Sequence, residues 1–187
     1  MNRKLVLASG SPRRRELLSQ LGYSFLVDVP GIDETRGIDE IPQHYVKRLA
    51  ESKALHILNS QSDDIVVLGA DTIVVFDTQV LEKPKDFTDS KRMLTMLSGK
   101  CHQVMTAVSL ASCNRVKTTM VETNVWFKNL TEQEIKAYWN TGEPQDKAGS
   151  YGIQGIGGKF VTRIEGSYYA VVGLPLFETD QLLLELL

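Results

Sequence analysis

Three consecutive arginines, Arg13 to Arg15, follow a turn of small residues at the predicted start of a helix. Ser11 is a favourable N-cap, and Pro12 is a favourable first helical residue. Positive side chains are unfavourable at this end of a helix, because its free N–H groups already carry partial positive charge. An anion reverses that effect, and a helix N-terminus is a ready phosphate site. The pattern therefore predicts phosphate binding by Ser9 to Ser11 and the arginines; the alternative is that the arginines extend into solvent.

Asp71 interrupts the apolar segment 65–76, which predicts a buried strand. Residues two apart on a strand share a face, so Asp71 shares its face with Val67 and Ile73. A carboxylate in that position is destabilising unless a metal ion, a lysine or a substrate compensates its charge. Buried acids cluster at active sites, so the pattern indicates a functional aspartate. The alternative is a bulge at Gly69-Ala70 that turns the side chain out to solvent.

Two lysines also stand out from their local pattern. Lys53 lies four residues after Leu49 and four before Ile57, so on a helix all three share the apolar face. Its alternative is snorkelling, with a buried stem and an ammonium group in water. Lys83 precedes Pro84, which favours extended backbone, and taken alone it is more typical of a surface lysine.

A predicted loop and a glycine-rich segment add further polar groups. Asp33 and Glu34 are adjacent acids that could give a metal a second carboxylate, although loop acids are usually exposed. Residues 149–158 are rich in glycine, which lets backbone approach a ligand closely, and Gln154 could read a base edge through its amide. The segment matches neither a Walker A nor a Rossmann pattern, and a flexible surface loop is the alternative.

Composition limits the classes of partner. The chain has 187 residues, of which 42% are apolar and 24% charged, as in a globular domain with its own core. A net charge of −2 gives no overall attraction to nucleic acid or to an anionic membrane. Cys101 and Cys113 show no disulfide or zinc pattern and are expected to be reduced thiols. Without a signal peptide or a long apolar run, a cytoplasmic location is expected.

Strand-like and helix-like segments alternate, which favours an α/β fold with a mixed sheet. The predicted strands cover residues 5–8, 24–29, 65–76, 102–111 and 117–127, and the predicted helices cover residues 12–21, 42–58, 88–97, 131–140 and 175–187. Residues 159–164 and 168–172 are predicted to form a hairpin around Glu165-Gly166. An anion-binding helix start, a buried acid and nearby lysines fit phosphoryl or nucleotidyl chemistry with a divalent ion.

Several blocks of sequence occur in a recognisable order between about residue 4 and Pro175. They are Leu7 to Leu18, Tyr45 to Ala54, Gly69 to Thr72, Leu81 to Pro84, Met93 to Gly99 and Asp146 to Gly155. These blocks resemble the Maf family of nucleoside triphosphate pyrophosphatases. The resemblance implies one domain over residues 1–187, with a mixed twisted sheet, flanking helices and two lobes around a deep cleft, related in architecture to the inosine triphosphate pyrophosphatases. It also implies cleavage to the monophosphate and pyrophosphate with a divalent cation such as Mg2+ or Mn2+.

The resemblance implies roles for individual residues. Asp71 matches the proton acceptor of the family, and Glu34, with Asp71, is implied as a metal ligand, with Asp33 as the alternative register. The positions linked to base choice are Arg13, Thr72 and Gln154. The positions implied to bind phosphate are Ser9, Arg14, Lys53 and Lys83.

The residues at the base-choice positions look like the dTTP/UTP subgroup, since the 7-methyl-GTP subgroup tends to carry a tryptophan after Ser-Pro. The resemblance therefore implies hydrolysis of dTTP and UTP, with modified pyrimidine triphosphates as further candidates. The alternatives are a purine or 7-methyl-GTP pyrophosphatase on the same scaffold, and a non-enzymatic inhibitor of septum formation and cell division. The expected partner is a small-molecule nucleotide, not nucleic acid or a membrane, and homodimers are common among relatives.

Overall fold

The computed structural model describes residues 3–61 and 64–187. In chain order the elements are β1 Lys4–Ala8, α1 Pro12–Gln20, β2 Phe25–Asp28, α2 Pro42–Ser60, β3 Ile65–Phe76, β4 Gln79–Leu81, α3 Phe87–Leu97, β5 Cys101–Ser112, β6 Arg115–Phe127, α4 Glu132–Trp139, β7 Val161–Glu165, α5 Tyr168–Val172 and α6 Leu176–Leu186. Short 3-10 helices cover Glu143–Asp146, Ala148–Ser150 and Ile156–Phe160. No helix in the described ranges has the length and apolar character needed to cross a membrane.

The strands form one mixed sheet in the order β2-β1-β3-β5-β6-β7, and β4 pairs with β3. Strand β1 runs parallel to both β2 and β3, whereas the β3–β4 and β6–β7 pairs are antiparallel. Helices flank this sheet along the chain, so the predicted α/β class with a mixed sheet is confirmed.

The described residues form two compact units. Unit 1 contains the chain up to Asp71, Thr106–Val121 and Gly173–Leu187, and unit 2 contains Thr72–Met105 and Glu122–Val172. The core of unit 1 includes Val6, Ala8, Ala54, Ile57, Ile65, Val67 and Ala111. The core of unit 2 includes Val74, Leu81, Met93, Leu94, Leu97, Val104, Val125, Phe127, Ile135, Tyr138, Tyr151 and Phe160.

Of the hairpin predicted at residues 159–172, the first strand is confirmed and the second is wrong. Residues 161–165 form β7, but residues 168–172, rich in strand-forming side chains, form the helix α5. The cause is Ser167, whose Oγ accepts a hydrogen bond from the backbone N of Ala170 at 3.2 Å. Its own backbone N donates to Thr123 Oγ1 at 3.0 Å. A side-chain oxygen that accepts from the backbone N–H three residues later is an N-cap, which favours the start of a helix. Here the N-cap overrides the local strand propensity.

Helix α2 approaches β3 unusually closely at Gly69. A Cβ atom at Gly69 would lie 2.2 Å from the carbonyl oxygen of Ala50 and 2.7 Å from the backbone N of Ala54. A glycine inside a strand often marks such a close backbone approach. Gly69 and Asp71 share one strand face, and Lys53 lies between the two alanines, so this contact sets the distance between Lys53 and Asp71.

The loop between β2 and α2 is held by side chains of α2. Arg48 donates two hydrogen bonds to the carboxylate of Glu40, at 2.7 and 2.8 Å, and a third to the carbonyl oxygen of Thr35 at 3.0 Å. The bonds from Arg48 to the carboxylate are the largest cause that lowers the pKa of Glu40 to about 2, and a bond from the backbone N of Gly37 adds to it. The Tyr45 hydroxyl donates to the carbonyl oxygen of Glu34 at 2.8 Å. The backbone at Glu34 is thereby fixed relative to α2.

We expect Gly69→Ala to lower the free energy of unfolding by about 2 kcal/mol, because the added methyl group meets backbone atoms that cannot rotate away. Gly31→Ala is the matched control, since a Cβ atom there would meet no described atom within 4 Å and its φ is not in the left-handed region. Urea denaturation of both variants and the wild type measures the difference. Equal stability of the two variants would contradict this packing.

Candidate functional site

An ion-pair cluster surrounds Lys53 in unit 1. The Lys53 ammonium donates to Asp71 Oδ1 at 2.7 Å and lies 2.9 Å from Glu34 Oε1. The side chains of Lys53 and Asp71 are 10% and 11% exposed, whereas that of Glu34 is 52% exposed. The ammonium thus joins a buried carboxylate to one that remains accessible to solvent.

The geometry of Lys53 and Asp71 distinguishes between the alternatives for these residues. Asp71 lies within the continuous strand β3 and is buried, so it is not turned out to solvent by a bulge. Lys53 is buried and its ammonium group is hydrogen-bonded to the carboxylate of Asp71, so it does not snorkel to water. Of the groups that could compensate the charge of Asp71, the structure contains the lysine.

The choice between the two loop acids follows from a local turn. Asp33 Oδ1 accepts a hydrogen bond from the backbone N of Thr35 at 2.9 Å, as in an Asx turn. Hydrogen bonds from the side chain and backbone of Thr35 lower the pKa of Asp33. Asp33 therefore caps its own loop, and Glu34 is the acid that contacts Lys53.

The start of α1 has the predicted cap. Ser11 Oγ accepts from the backbone N of Arg14 at 3.4 Å. Ser9 Oγ accepts from the backbone N of Ser11 at 3.2 Å and from Arg14 Nη1 at 3.4 Å. Arg14 Nε also donates to the carbonyl oxygen of Gly173 at 2.9 Å. Arg14 is therefore partly buried and held in a fixed orientation instead of extending into solvent.

Arg14 interacts electrostatically with the two carboxylates of the ion-pair cluster around Lys53. Burial lowers the pKa of its guanidinium group, Asp71 and Glu34 oppose that effect, and Arg13 adds to it. The start of α1 thus lies close enough to the Lys53 cluster for the charges to influence each other. Arg13, Arg14 and Lys53 carry three positive charges against the two negative charges of Glu34 and Asp71, which leaves a formal local charge of +1. Such a group of charges favours an anion.

The glycine-rich segment packs tightly against side chains of unit 2. A Cβ atom at Gly155 would lie 2.2 Å from Glu143 Oε2, and one at Gly157 would lie 2.5 Å from the Tyr138 hydroxyl. The glycines thus let the backbone approach Glu143 and Tyr138 of the same chain. Gln154 is exposed in the turn of this segment.

The remaining predicted residues belong to unit 2. Thr72 follows Asp71 directly in β3 and is partly buried, and Lys83 is exposed after β4. The backbone N of Gly149 donates to the carbonyl oxygen of Glu82 at 3.2 Å, so the Lys83 segment lies beside the start of the glycine-rich segment. The predicted residues of unit 1 are therefore Ser9, Arg13, Arg14, Glu34, Lys53 and Asp71, and those of unit 2 are Thr72, Lys83 and Gln154.

Sequence reasoning missed the residues that support this site: Tyr45, Arg48, Gly69, Tyr138 and Glu143. An isolated glycine in a strand was a usable signal for the close approach at Gly69. Tyr45 and Arg48 have no such signal, because their partners lie in a loop whose path depends on tertiary contacts. The same holds for Glu143, which follows α4 and contacts backbone more than ten residues later.

The candidate metal ligands are two carboxylates of unit 1. Among residues 3–61 and 64–187, no group of three or more His, Cys, Asp or Glu side chains could hold a metal ion. The carboxylates of Glu34 and Asp71 nevertheless converge on the Lys53 ammonium. Two carboxylates fit the pattern for Mg2+, which commonly binds one or two of them and completes its shell with water and substrate phosphates.

Known proteins are similar to this chain over nearly its whole length. A dTTP/UTP pyrophosphatase of Vibrio cholerae is 64% identical over 180 residues, covering 96% of each chain. A dTTP/UTP pyrophosphatase of Pseudoalteromonas translucida is 54% identical over 183 residues, covering 98% of this chain and 97% of that protein.

A solved structure of a nucleoside-triphosphatase / dITP/XTP pyrophosphatase from Mycobacterium abscessus is 14% identical. The match covers 98% of this chain and 94% of the solved chain with a TM-score of 0.47, and this likeness is too weak to support a conclusion. The family model described as Maf-like protein matches residues 4–186. Because that match spans nearly the whole chain and the relatives are more than half identical to it, the chain belongs to the Maf family.

Proposed function

We propose that this protein hydrolyses dTTP and UTP to the nucleoside monophosphate and pyrophosphate. Family membership and the name shared by the Vibrio and Pseudoalteromonas relatives support this reaction. The structural observation that carries it is the buried Lys53–Asp71 pair beside a helix start rich in arginine. Buried acids beside fixed cations are typical of catalytic sites that handle charged substrates.

The triphosphate binds at the start of α1. Ser9, Arg13 and Arg14 supply hydroxyl and guanidinium donors, which match the geometry of phosphate oxygens. The N-terminus of α1 adds the partial positive charge of its backbone. The Arg14 guanidinium is held in place before the substrate binds, because it donates to Ser9 Oγ and to the carbonyl oxygen of Gly173. Preorganised donors stabilise developing negative charge without reorganisation.

Asp71 accepts the proton of the attacking water. The water oxygen forms a bond to the α-phosphorus, and the bond from that phosphorus to the bridging oxygen of the β-phosphate breaks. The electron pair of that bond leaves with pyrophosphate. Lys53 donates to Oδ1 of Asp71, which holds the carboxylate in one orientation and leaves its second oxygen to act as the base. Lys53 also offsets part of the negative charge that gathers around the phosphates.

Further roles are proposed from the family resemblance. Lys83 binds phosphate, and Arg13, Thr72 and Gln154 discriminate the pyrimidine base. Glu34 and Asp71 would hold a divalent cation such as Mg2+ or Mn2+, which when bound neutralises phosphate charge and polarises a phosphoryl oxygen. We place the enzyme in the cytoplasm, in line with the free thiols of Cys101 and Cys113, and a homodimer remains a prediction.

Asp71→Asn is expected to lower kcat for dTTP and UTP by roughly 10²- to 10⁴-fold, because an amide cannot accept the proton of the water. Pyrophosphate release is measured with Mg2+ and with Mn2+, over a panel that includes dGTP and 7-methyl-GTP. Asp77→Asn is the control, since Asp77 lies in the turn after β3 at φ 54°, which asparagine also adopts.

Near-wild-type turnover by Asp71→Asn would remove Asp71 from the mechanism. Faster turnover of purine or 7-methylated triphosphates by the wild-type protein would overturn the pyrimidine assignment. Filamentation of cells that overproduce the inactive variant would point to a separate role in cell division.

Glu34→Gln is expected to lower kcat/KM by about tenfold or more, because the carboxylate that contacts Lys53 loses its charge. Asp33→Asn is the adjacent control, since asparagine keeps the oxygen that accepts from Thr35. The two variants are compared at several Mg2+ concentrations. If Asp33→Asn proves the more damaging, the assignment of Glu34 is wrong.

A further inference from the structure

The carboxylate of Glu143 accepts hydrogen bonds from the backbone of the glycine-rich segment. Oε2 accepts from the backbone N of Ile156 at 2.8 Å, and Oε1 accepts from the backbone N of Gly157 at 3.0 Å. Oε1 also accepts from the Tyr138 hydroxyl at 2.7 Å. That hydroxyl in turn accepts from the backbone N of Gly152 at 3.0 Å. One side chain therefore binds both arms of the segment, directly or through a single hydroxyl.

The glycines bring the backbone of the segment close to the side chains around this carboxylate. A Cβ atom at Gly152 would lie 2.7 Å from Lys147 Cε, in addition to the close approaches at Gly155 and Gly157. Lys147 donates to the carbonyl oxygen of Glu143 at 2.8 Å and so fixes the backbone that carries the carboxylate. The glycines and Glu143 thus form one packed arrangement.

The ionised form of Glu143 suits this arrangement. Burial alone would raise its pKa, but the hydrogen bonds from Gly157, Tyr138 and Ile156 outweigh that effect, so the pKa lies below its ordinary value. Charge-assisted hydrogen bonds to backbone N–H groups are stronger than neutral ones. A neutral amide in this place has only one acceptor atom and turns its NH2 group towards a donor.

We propose that Glu143 is a positioning residue that sets the place of Gln154 and thereby the preference for a pyrimidine base. Gln154 lies two residues after Gly152 and two before Ile156, so both flanks of the exposed amide are tied to the same carboxylate. The inference rests on the proposed function, because it assigns Gln154 the task of reading the base. A site that reads a base by hydrogen bonds loses discrimination when its polar group is misplaced.

The test compares Glu143→Gln with the wild type on dTTP, UTP and dGTP. We expect kcat/KM for the pyrimidine triphosphates to fall about tenfold, mainly through KM, because a small misplacement of a binding group is enough for such a loss. The preference for dTTP over dGTP falls with it, while kcat at saturation changes little. Glu132→Gln is the matched control, with the same chemical change on a side chain that is 73% exposed at the start of α4.

Tyr138→Phe is a second variant that tests the proposal if Glu143→Gln does not fold. It removes the hydroxyl that joins Gly152 to Glu143. It keeps the ring, which packs edge-on against Phe160 with 5.0 Å between the ring centroids. We expect the same change in base preference with a smaller amplitude.

Amide hydrogen exchange of residues 152–158 without substrate separates the possible failures. Faster exchange together with a lost base preference supports the proposal. Faster exchange with an unchanged preference, or an equal fall in kcat for every triphosphate, overturns it. Unchanged exchange shows that Glu143 does not hold the segment and also overturns it. If the wild-type protein does not hydrolyse dTTP or UTP, the proposed function itself fails, and that is seen before any variant is compared.

Discussion

The ion pair between Lys53 and Asp71 is the interaction on which the rest of the site depends. Both side chains are nearly buried, and an isolated charge in such a place is destabilising. Even a paired set of buried charges adds little to stability compared with apolar residues of similar volume. The pair therefore points to chemistry, and the surrounding fold has to supply its geometry.

That geometry arises from one close contact between a helix and a strand. Because Gly69 has no side chain, α2 can lie against β3 with its backbone almost touching the strand. Lys53 then reaches Asp71 without extending towards solvent. The loop that carries Glu34 is fixed to the same helix by Tyr45 and Arg48. One helix thus positions the ammonium group and the second carboxylate together.

The elements that position the site follow largely from local sequence. Helix α1 has its predicted cap at Ser11, and β3 covers the predicted range 65–76. The prediction failed at residues 168–172, where the cap at Ser167 prevails over strand propensity. Individual side-chain contacts between distant segments do not follow from local sequence patterns. Whether Asp33 or Glu34 meets Lys53 depends on a turn, and the partners of Glu143 depend on how the glycine-rich segment folds back.

The proposal that Lys53 and Asp71 act as one catalytic unit is tested most directly by a double-mutant cycle on kcat for dTTP. The cycle compares Lys53→Met, Asp71→Asn and the variant that carries both changes. Residues that act as a unit are strongly non-additive, so the double variant should be little slower than the slower single variant. Losses that multiply would show that the lysine and the aspartate contribute independently, and would contradict their assignment to a single catalytic unit.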